Sequence, residues 1–216
     1  ELSPARREPD LVTPEGPTRE ERLQQAVDAT RRRFGSVALT HAAAVSMPSR
    51  IAIRSSFSLL WGTASPKEII NLLGRQGCTA IGITDRNNLY GVHAIREAAA
   101  EAGIRPIIGS ELTTPEGSIF AFVKDRRGYS RLSTLLTGRN ECPELDVAKA
   151  LAEDSEGLVL AVKSPSLLSL LAPTAHSLFA AISPGWMGSI PTARKLSLPL
   201  VAIDDASFLE EQEREI

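Results

Sequence analysis

Cysteine and histidine are scarce in this sequence. Only Cys78 and Cys142 occur among 216 residues, and neither sits in a CxxC pair or a Cys/His cluster. A disulfide framework and a zinc ribbon are thereby excluded, and a reduced, cytoplasmic setting is expected. No apolar run approaches the length of a membrane span, and the N-terminus carries no signal-peptide core, so no membrane partner is expected. An excess of charge of one sign is missing too: 24 basic against 26 acidic residues leave a net charge of -2. Any binding to nucleic acid or anionic lipid would therefore need a local patch. What is present is ordinary for a globular chain, 43% hydrophobic and 23% charged. That is enough for one mid-sized domain with an appendage. The chain begins with Glu and stops in a charged segment, and it reads as a piece of something longer.

Residues 1–17 (ELSPARREPDLVTPEGP) are rich in proline and charge and read as a flexible leader. A helical extension follows over 18–45. Thr18 with Glu21 fits a capping box, and Leu23, Ala26, Val27, Thr30 and Phe34 share one face, with Gly35 placed to end the helix. SMPSR (46–50) reads as a linker, and a domain is expected over 51–216. There, short β-branched runs alternate with helical patterns: 51–53, 79–84, 105–109, 118–123, 157–162, 177–182 and 198–203. Ser65, Pro66 and Glu68 signal one helix start, and a second helix is expected over 88–102, closed by Gly103. Seven mostly parallel strands with helices outside imply an α/β sheet or barrel. TTPEGS (113–118) carries turn chemistry, so the fourth strand is expected to enter by a hairpin.

Functional groups in such folds cluster at the C-terminal ends of the strands. Those ends here hold Arg54-Ser55-Ser56, Asp85-Arg86-Asn87-Asn88, Gly109-Ser110-Glu111, Ser164 and Asp204-Asp205-Ala206-Ser207. The set is polar but poor in metal ligands, and His41, His93 and His176 lie elsewhere.

The stretches SSFSLLWGTASPKEII, GCTAIGITDRNNLYGVHAIREAAAEAGIRPIIGSEL, VKDRRGYSRLSTLLT, EGLVLAV and LPLVAIDDASFLEEQERE occur in an order that resembles one family. It is the PHP (polymerase and histidinol phosphatase) domain of bacterial DNA polymerase III alpha subunits. The resemblance implies a distorted seven-stranded (β/α)7 PHP-type barrel, here with the N-terminal helical extension. Active members of that family hold three metal ions that hydrolyse phosphate esters and, in some polymerases, proofread DNA.

Carried onto this sequence, the family's ligand pattern mostly fails. Its first-strand His-x-His falls on Ala52 and Arg54, the acid of its LLDG on Trp61, and the His of its TDHGN on Arg86. The acid of GxE survives as Glu111, a strand-four His aligns with Ser118, and a Cys or His after strand five aligns with Ser164. In NDxH the acid survives as Asp205, while the His becomes Ser207. Glu111 and Asp205 are the two ligands that remain, and two carboxylates cannot hold three ions. No cofactor is expected, beyond a single weakly bound divalent cation that the acidic pair Asp204-Asp205 could retain, with Glu111 and Asp205 as the weak candidate ligands. Arg54 and Arg86 are expected to bridge to these carboxylates and neutralise them; the alternative is that both point into solvent. Trp61 is expected to plug the vacated cavity. Asn88 is expected to cap the following helix, and His93 to pack rather than ligate.

A second, weaker resemblance is carried by REERLQQAVDATRRRFGSVAL, which is similar to the C-terminal tail of Y-family translesion polymerases. Arg31, Arg32 and Arg33 could meet DNA phosphates, but a solvated helix C-terminus is the stronger reading. The expected function is a catalytically inactive PHP-like module, structural or protein-binding, in DNA replication or repair. Its partner would be a polymerase subunit or an adjoining polymerase domain. The rivals are an active phosphoesterase or 3'-5' proofreading exonuclease with an altered site, and a DNA-tethering module.

Overall fold

The computed structural model of the protein describes residues 49–183 and 186–203. Its strands are β1 (Ser49–Ile53), β2 (Ala80–Arg86), β3 (Arg105–Thr114), β4 (Gly117–Val123), β5 (Leu158–Val162), β6 (Leu178–Ile182) and β7 (Leu200–Ala202). Its helices are α1 (Pro66–Arg75), α2 (Val92–Ala102), α3 (Arg126–Glu141), α4 (Val147–Glu153), α5 (Pro165–Leu171) and α6 (Ile190–Lys195). All seven expected strands are present, and the first starts at Ser49, inside the stretch read as a linker. The leader, the helical extension with Arg31, Arg32 and Arg33, and Asp205 and Ser207 lie outside the described residues.

The strands form one sheet in chain order, β1 to β7. Pairing is parallel from β1 to β3 and from β5 to β7, while β4 runs antiparallel to both neighbours. The expected hairpin turns at Pro115-Glu116, between Thr114 and Gly117. Ala52 of β1, Phe120 and Phe122 of β4, Ala161 of β5, Ala181 of β6 and Ile203 after β7 pack into one cluster. Strands from opposite ends of the sheet order can share a cluster only if the sheet curls, so the architecture is a half-barrel with a filled interior. Alternate side chains face the helices. Ile81 and Ile83 meet Ile69, Ile70 and Ile95 of α1 and α2, and Leu112, Ile119 and Leu160 meet the helices after β4.

Local chemistry fixes the helix starts. Ser65 and Glu68 form a reciprocal capping box around Pro66, at the helix start that the sequence signals. Asp125 and Asp146 each accept a backbone N–H in the first turn of α3 and α4. Gly128 abuts Gly157 so closely that a Cβ there would fall 1.8 Å from the Gly157 carbonyl oxygen. Only glycine permits that approach. The second helix begins at Val92 rather than 88, because residues 87–91 are a turn: Asn87 is left-handed, and Asn88 accepts from the Tyr90 N–H.

Candidate functional site

The mouth of the half-barrel lies at the C-terminal ends of β1, β2 and β3, where β4 begins. β1 is interrupted just before it: Ala52 has φ +63°, and the pairing register with β2 shifts between Arg50 and Ile53. The irregularity leaves Ala52 fully buried in the interior cluster and directs Arg54 across the mouth. Its Nε donates to Glu111 Oε2 at 2.6 Å, and Ser118 Oγ donates to Oε1 of the same carboxylate at 2.6 Å. The Arg54 and Glu111 side chains are 10% and 4% exposed. A carboxylate so buried needs this pairing, since an isolated one costs several kcal/mol.

Arg86 does not join that pair. Its guanidinium carbon lies 4.1 Å from the centre of the Trp61 ring, a cation–π stack at the rim. Trp61 is itself about half exposed, so the indole lies at the rim while aliphatic and phenyl side chains fill the interior. Ser164 stands at the start of α5, where its Oγ is 2.8 Å from that of Ser166. It lies beside the hairpin, since a Cβ on Gly117 would come within 3.4 Å of the Ser164 Cβ. The structure thus gathers Arg54, Glu111 and Ser118 at one point and Arg86 with Trp61 at another. Ala52 is enclosed below them.

Three features were not singled out in the sequence. The first is a buried hub at Asp85, whose Oδ1 accepts from the Ser55 N–H, Ser55 Oγ and Ser58 Oγ, with Ser55 Oγ also reaching Oδ2. This fastens the loop after β1 to the end of β2. Asn88 adds to it by donating to the carbonyls of Phe57 and Arg86, and so acts within the turn rather than as the helix cap. The loop is tight enough that a Cβ on Gly62 would fall 2.1 Å from the Ser55 carbonyl oxygen. The second is Arg139, from the last turn of α3, which donates to the Thr113 carbonyl and to Thr113 Oγ1. Thr113 in turn exchanges hydrogen bonds with Asn87, so Arg139 is anchored beside the Arg86 turn. Burial, and secondarily the field of Arg86, hold the Arg139 pKa below the ordinary arginine value. The third is an apolar rim: Leu59, Leu60, Trp61 and Tyr90 are all exposed, and Leu60 is fully so with φ +66°. His93 is a correction. It is exposed on α2 and paired with Glu97 at 3.1 Å, because its helical position faces solvent rather than the sheet.

Comparison with known proteins agrees with this geometry. The PHP domain model matches residues 51–196. An error-prone DNA polymerase of Rhodopseudomonas palustris (strain BisB5) is 35% identical over 161 residues, which is 68% of this chain and 14% of that protein. An error-prone DNA polymerase of Corynebacterium efficiens is 38% identical over 84 residues, 39% of this chain and 8% of that protein. The chain therefore spans only a small part of the length of these relatives. Among solved structures, a two-domain protein from Bacteroides vulgatus, described as containing a predicted PHP-like metal-dependent phosphoesterase, aligns with a TM-score of 0.55. That match covers 74% of this chain and 52% of that one at 19% identity, and it speaks to fold alone. No helix among the described residues is long and apolar enough to cross a membrane. With the half-barrel, its seven strands and the family match in agreement, this chain belongs to the PHP domain family.

Proposed function

We propose that this chain is a catalytically inert PHP domain of the error-prone polymerase lineage, acting as a structural or protein-interaction module in DNA replication or repair. The observation that carries the reading is the Arg54–Glu111–Ser118 contact. Both oxygens of Glu111 already accept hydrogen bonds, one of them from a fixed cation. A divalent ion placed about 4 Å from that guanidinium would be repelled by roughly 8 kcal/mol at an effective dielectric constant of about 20. The neighbouring ligand positions offer an alanine, a second arginine, an indole and neutral hydroxyls, and so supply none of the imidazole or carboxylate groups that a cluster of such ions needs. Among the described residues no three His, Cys, Asp or Glu side chains converge. A polynuclear cluster does not fit this donor set, and Asp205 by itself would hold at most one weakly bound cation.

An interaction role needs a surface, and the apolar rim supplies one. Leu59 and Leu60 sit on a loop fastened by the Asp85 hub, so the chain holds large hydrophobic groups in water on a rigid support. Apolar surface displayed in this way marks a face that a partner covers. The partner in this reading is the polymerase body, as an adjoining domain or a separate subunit, in the cytoplasm. The test is hydrolysis of bis(p-nitrophenyl) phosphate and of a 3'-recessed DNA duplex with zinc, manganese or iron supplied. The proposal expects background rates for both, unaltered by chelator. Metal-dependent turnover abolished by chelator would establish the phosphoesterase instead.

A further inference from the structure

A cleft of about 510 Å³ opens between the β3–β4 hairpin and the connection from α3 to α4, a size within the range of small-ligand sites. Its lining carries both signs of charge, and the two are held apart. Arg139, half-buried, donates to the Thr113 carbonyl and to Thr113 Oγ1, which fixes the guanidinium in place. Among the described residues no carboxylate comes within ion-pair distance of it. Burial, and secondarily the field of Arg86, lower the Arg139 pKa, whereas a carboxylate alongside would raise it. Glu116, at the tip of the hairpin, and Glu144, in the connection, line the same cleft. Both are exposed, and among the described residues neither has a cation within ion-pair distance. Asp146 is already engaged: it accepts the Lys149 N–H and pairs with Lys149 Nζ at 3.0 Å. Lys149 also feels the charge of Glu116, more weakly than that of Asp146. Pro115, Pro143 and Leu145 supply apolar wall.

We propose that this cleft binds a dipolar ligand of the amino-acid class, its α-carboxylate on Arg139 and a cationic group beyond it on Glu116 and Glu144. A planar guanidinium matches a carboxylate through paired N–H donors, and Arg139 keeps N–H groups that Thr113 does not take. A half-buried cation without a counter-ion is unfavourable, and an incoming carboxylate relieves it. The acids then select. A plain anion entering the cleft meets Glu116, Glu144 and Asp146, and a plain cation meets Arg139. A ligand with opposite charges at its two ends satisfies both. Free basic amino acids have this chemistry, and so does a polypeptide C-terminus with a lysine or arginine a few residues before its end. None of the lining residues stands at a metal-ligand position of the family, and the cleft binds in the same way whether or not the mouth is catalytic.

The experiment titrates the 216-residue chain calorimetrically with L-lysine and with an N-acetylated Lys-Ala-Ala-Leu peptide. Each probe is matched by a form without its carboxylate, cadaverine for lysine and the C-terminal amide for the peptide. The expected result is saturable binding of at least one carboxylate-bearing probe, weakened about tenfold or more in its matched form. The double variant Glu116→Gln, Glu144→Gln should weaken that binding by a similar factor, and Arg139→Gln should abolish it. Arg127→Gln, which breaks an exposed pair with Glu156 elsewhere, should leave it unchanged. Tighter binding of the peptide would name a chain terminus as the source, and tighter binding of lysine the free amino acid. Absence of saturable binding by either probe, equal binding of the matched forms, or unaltered affinity in the double glutamine variant would overturn the proposal. Should Arg139→Gln misfold, because Thr113 loses its donors, the matched probes on the unaltered chain still decide whether a carboxylate is read.

Discussion

Replacing Arg54 by alanine removes the cation that pairs with Glu111 at the mouth. Arg54 and Glu111 are 10% and 4% exposed, with Nε to Oε2 at 2.6 Å. An exposed pair would be worth under about 1 kcal/mol, but removing one member of a buried pair strands the other charge. Such a loss costs about 3–5 kcal/mol. Ser118 still donates to Glu111 in the variant, which argues for the lower half of that range. For a domain of this size each kcal/mol moves Tm by about 2–4 °C, so the variant should melt roughly 6–15 °C below the parent. Equilibrium urea unfolding followed by circular dichroism measures the same quantity directly. The double variant Arg54→Met, Glu111→Leu should recover most of the loss, because it removes both charges and keeps apolar volume. A single-variant loss under about 1 kcal/mol, or no recovery in the double, would refute the claim that the pair neutralises a buried carboxylate.

Three further outcomes follow from other parts of the domain. Asp85→Asn keeps the size of the hub but cannot accept every hydrogen bond now given by Ser55 and Ser58; stability should fall by about 2–4 kcal/mol, and amide exchange should quicken selectively over residues 55–62. Leu60→Gly should leave stability unchanged or raise it by up to about 1 kcal/mol, since Leu60 is fully exposed at φ +66° and glycine adopts that conformation without strain; a loss above about 1 kcal/mol would mean the leucine packs in the isolated chain. The capping hydrogen bonds at Ser65 and Lys149 hold the carboxyls of Glu68 and Asp146 below their usual values. A depressed carboxyl stabilises the fold above its unfolded pKa and loses that effect as pH falls through the folded one. The starts of α1 and α4 should therefore fray as pH drops below the ordinary carboxylate range of about 4, seen as faster exchange at Ser65 and Lys149 N–H than in mid-helix, and Glu68→Gln should flatten the response in α1.

The strands and the hairpin were legible because each is a short β-branched run bounded by turn residues, and burial on the sheet depends on that local pattern. The Arg54–Glu111 contact was legible too, because the ends of β1 and β3, separated only by β2, bring a buried acid and a long cation together. The rest of the rim was not. The left-handed Ala52 carries no residue signal, since the conformation is imposed by the register shift between β1 and β2. Asn88 reads as a helix cap from its type alone, yet its side chain is taken by the carbonyls of Phe57 and Arg86. Trp61 reads as cavity filler from its size, whereas Ala52, Phe120, Phe122 and Ala161 already occupy the interior. Arg139 is the plainest case: it lies on a helix far from any strand end, and only the packing of α3 against the end of β3 brings it to Thr113.

Whether the mouth takes metal decides between an inert domain and a phosphoesterase. The direct measurement is elemental analysis of the purified 216-residue chain after growth in medium replete with zinc, manganese and iron, followed by gel filtration without chelator. An inert mouth should carry far less than one equivalent of any of these metals per chain, and the Tm should be unmoved by added chelator. Stoichiometric metal that survives gel filtration, together with a chelator-induced drop in Tm, would contradict an inert mouth.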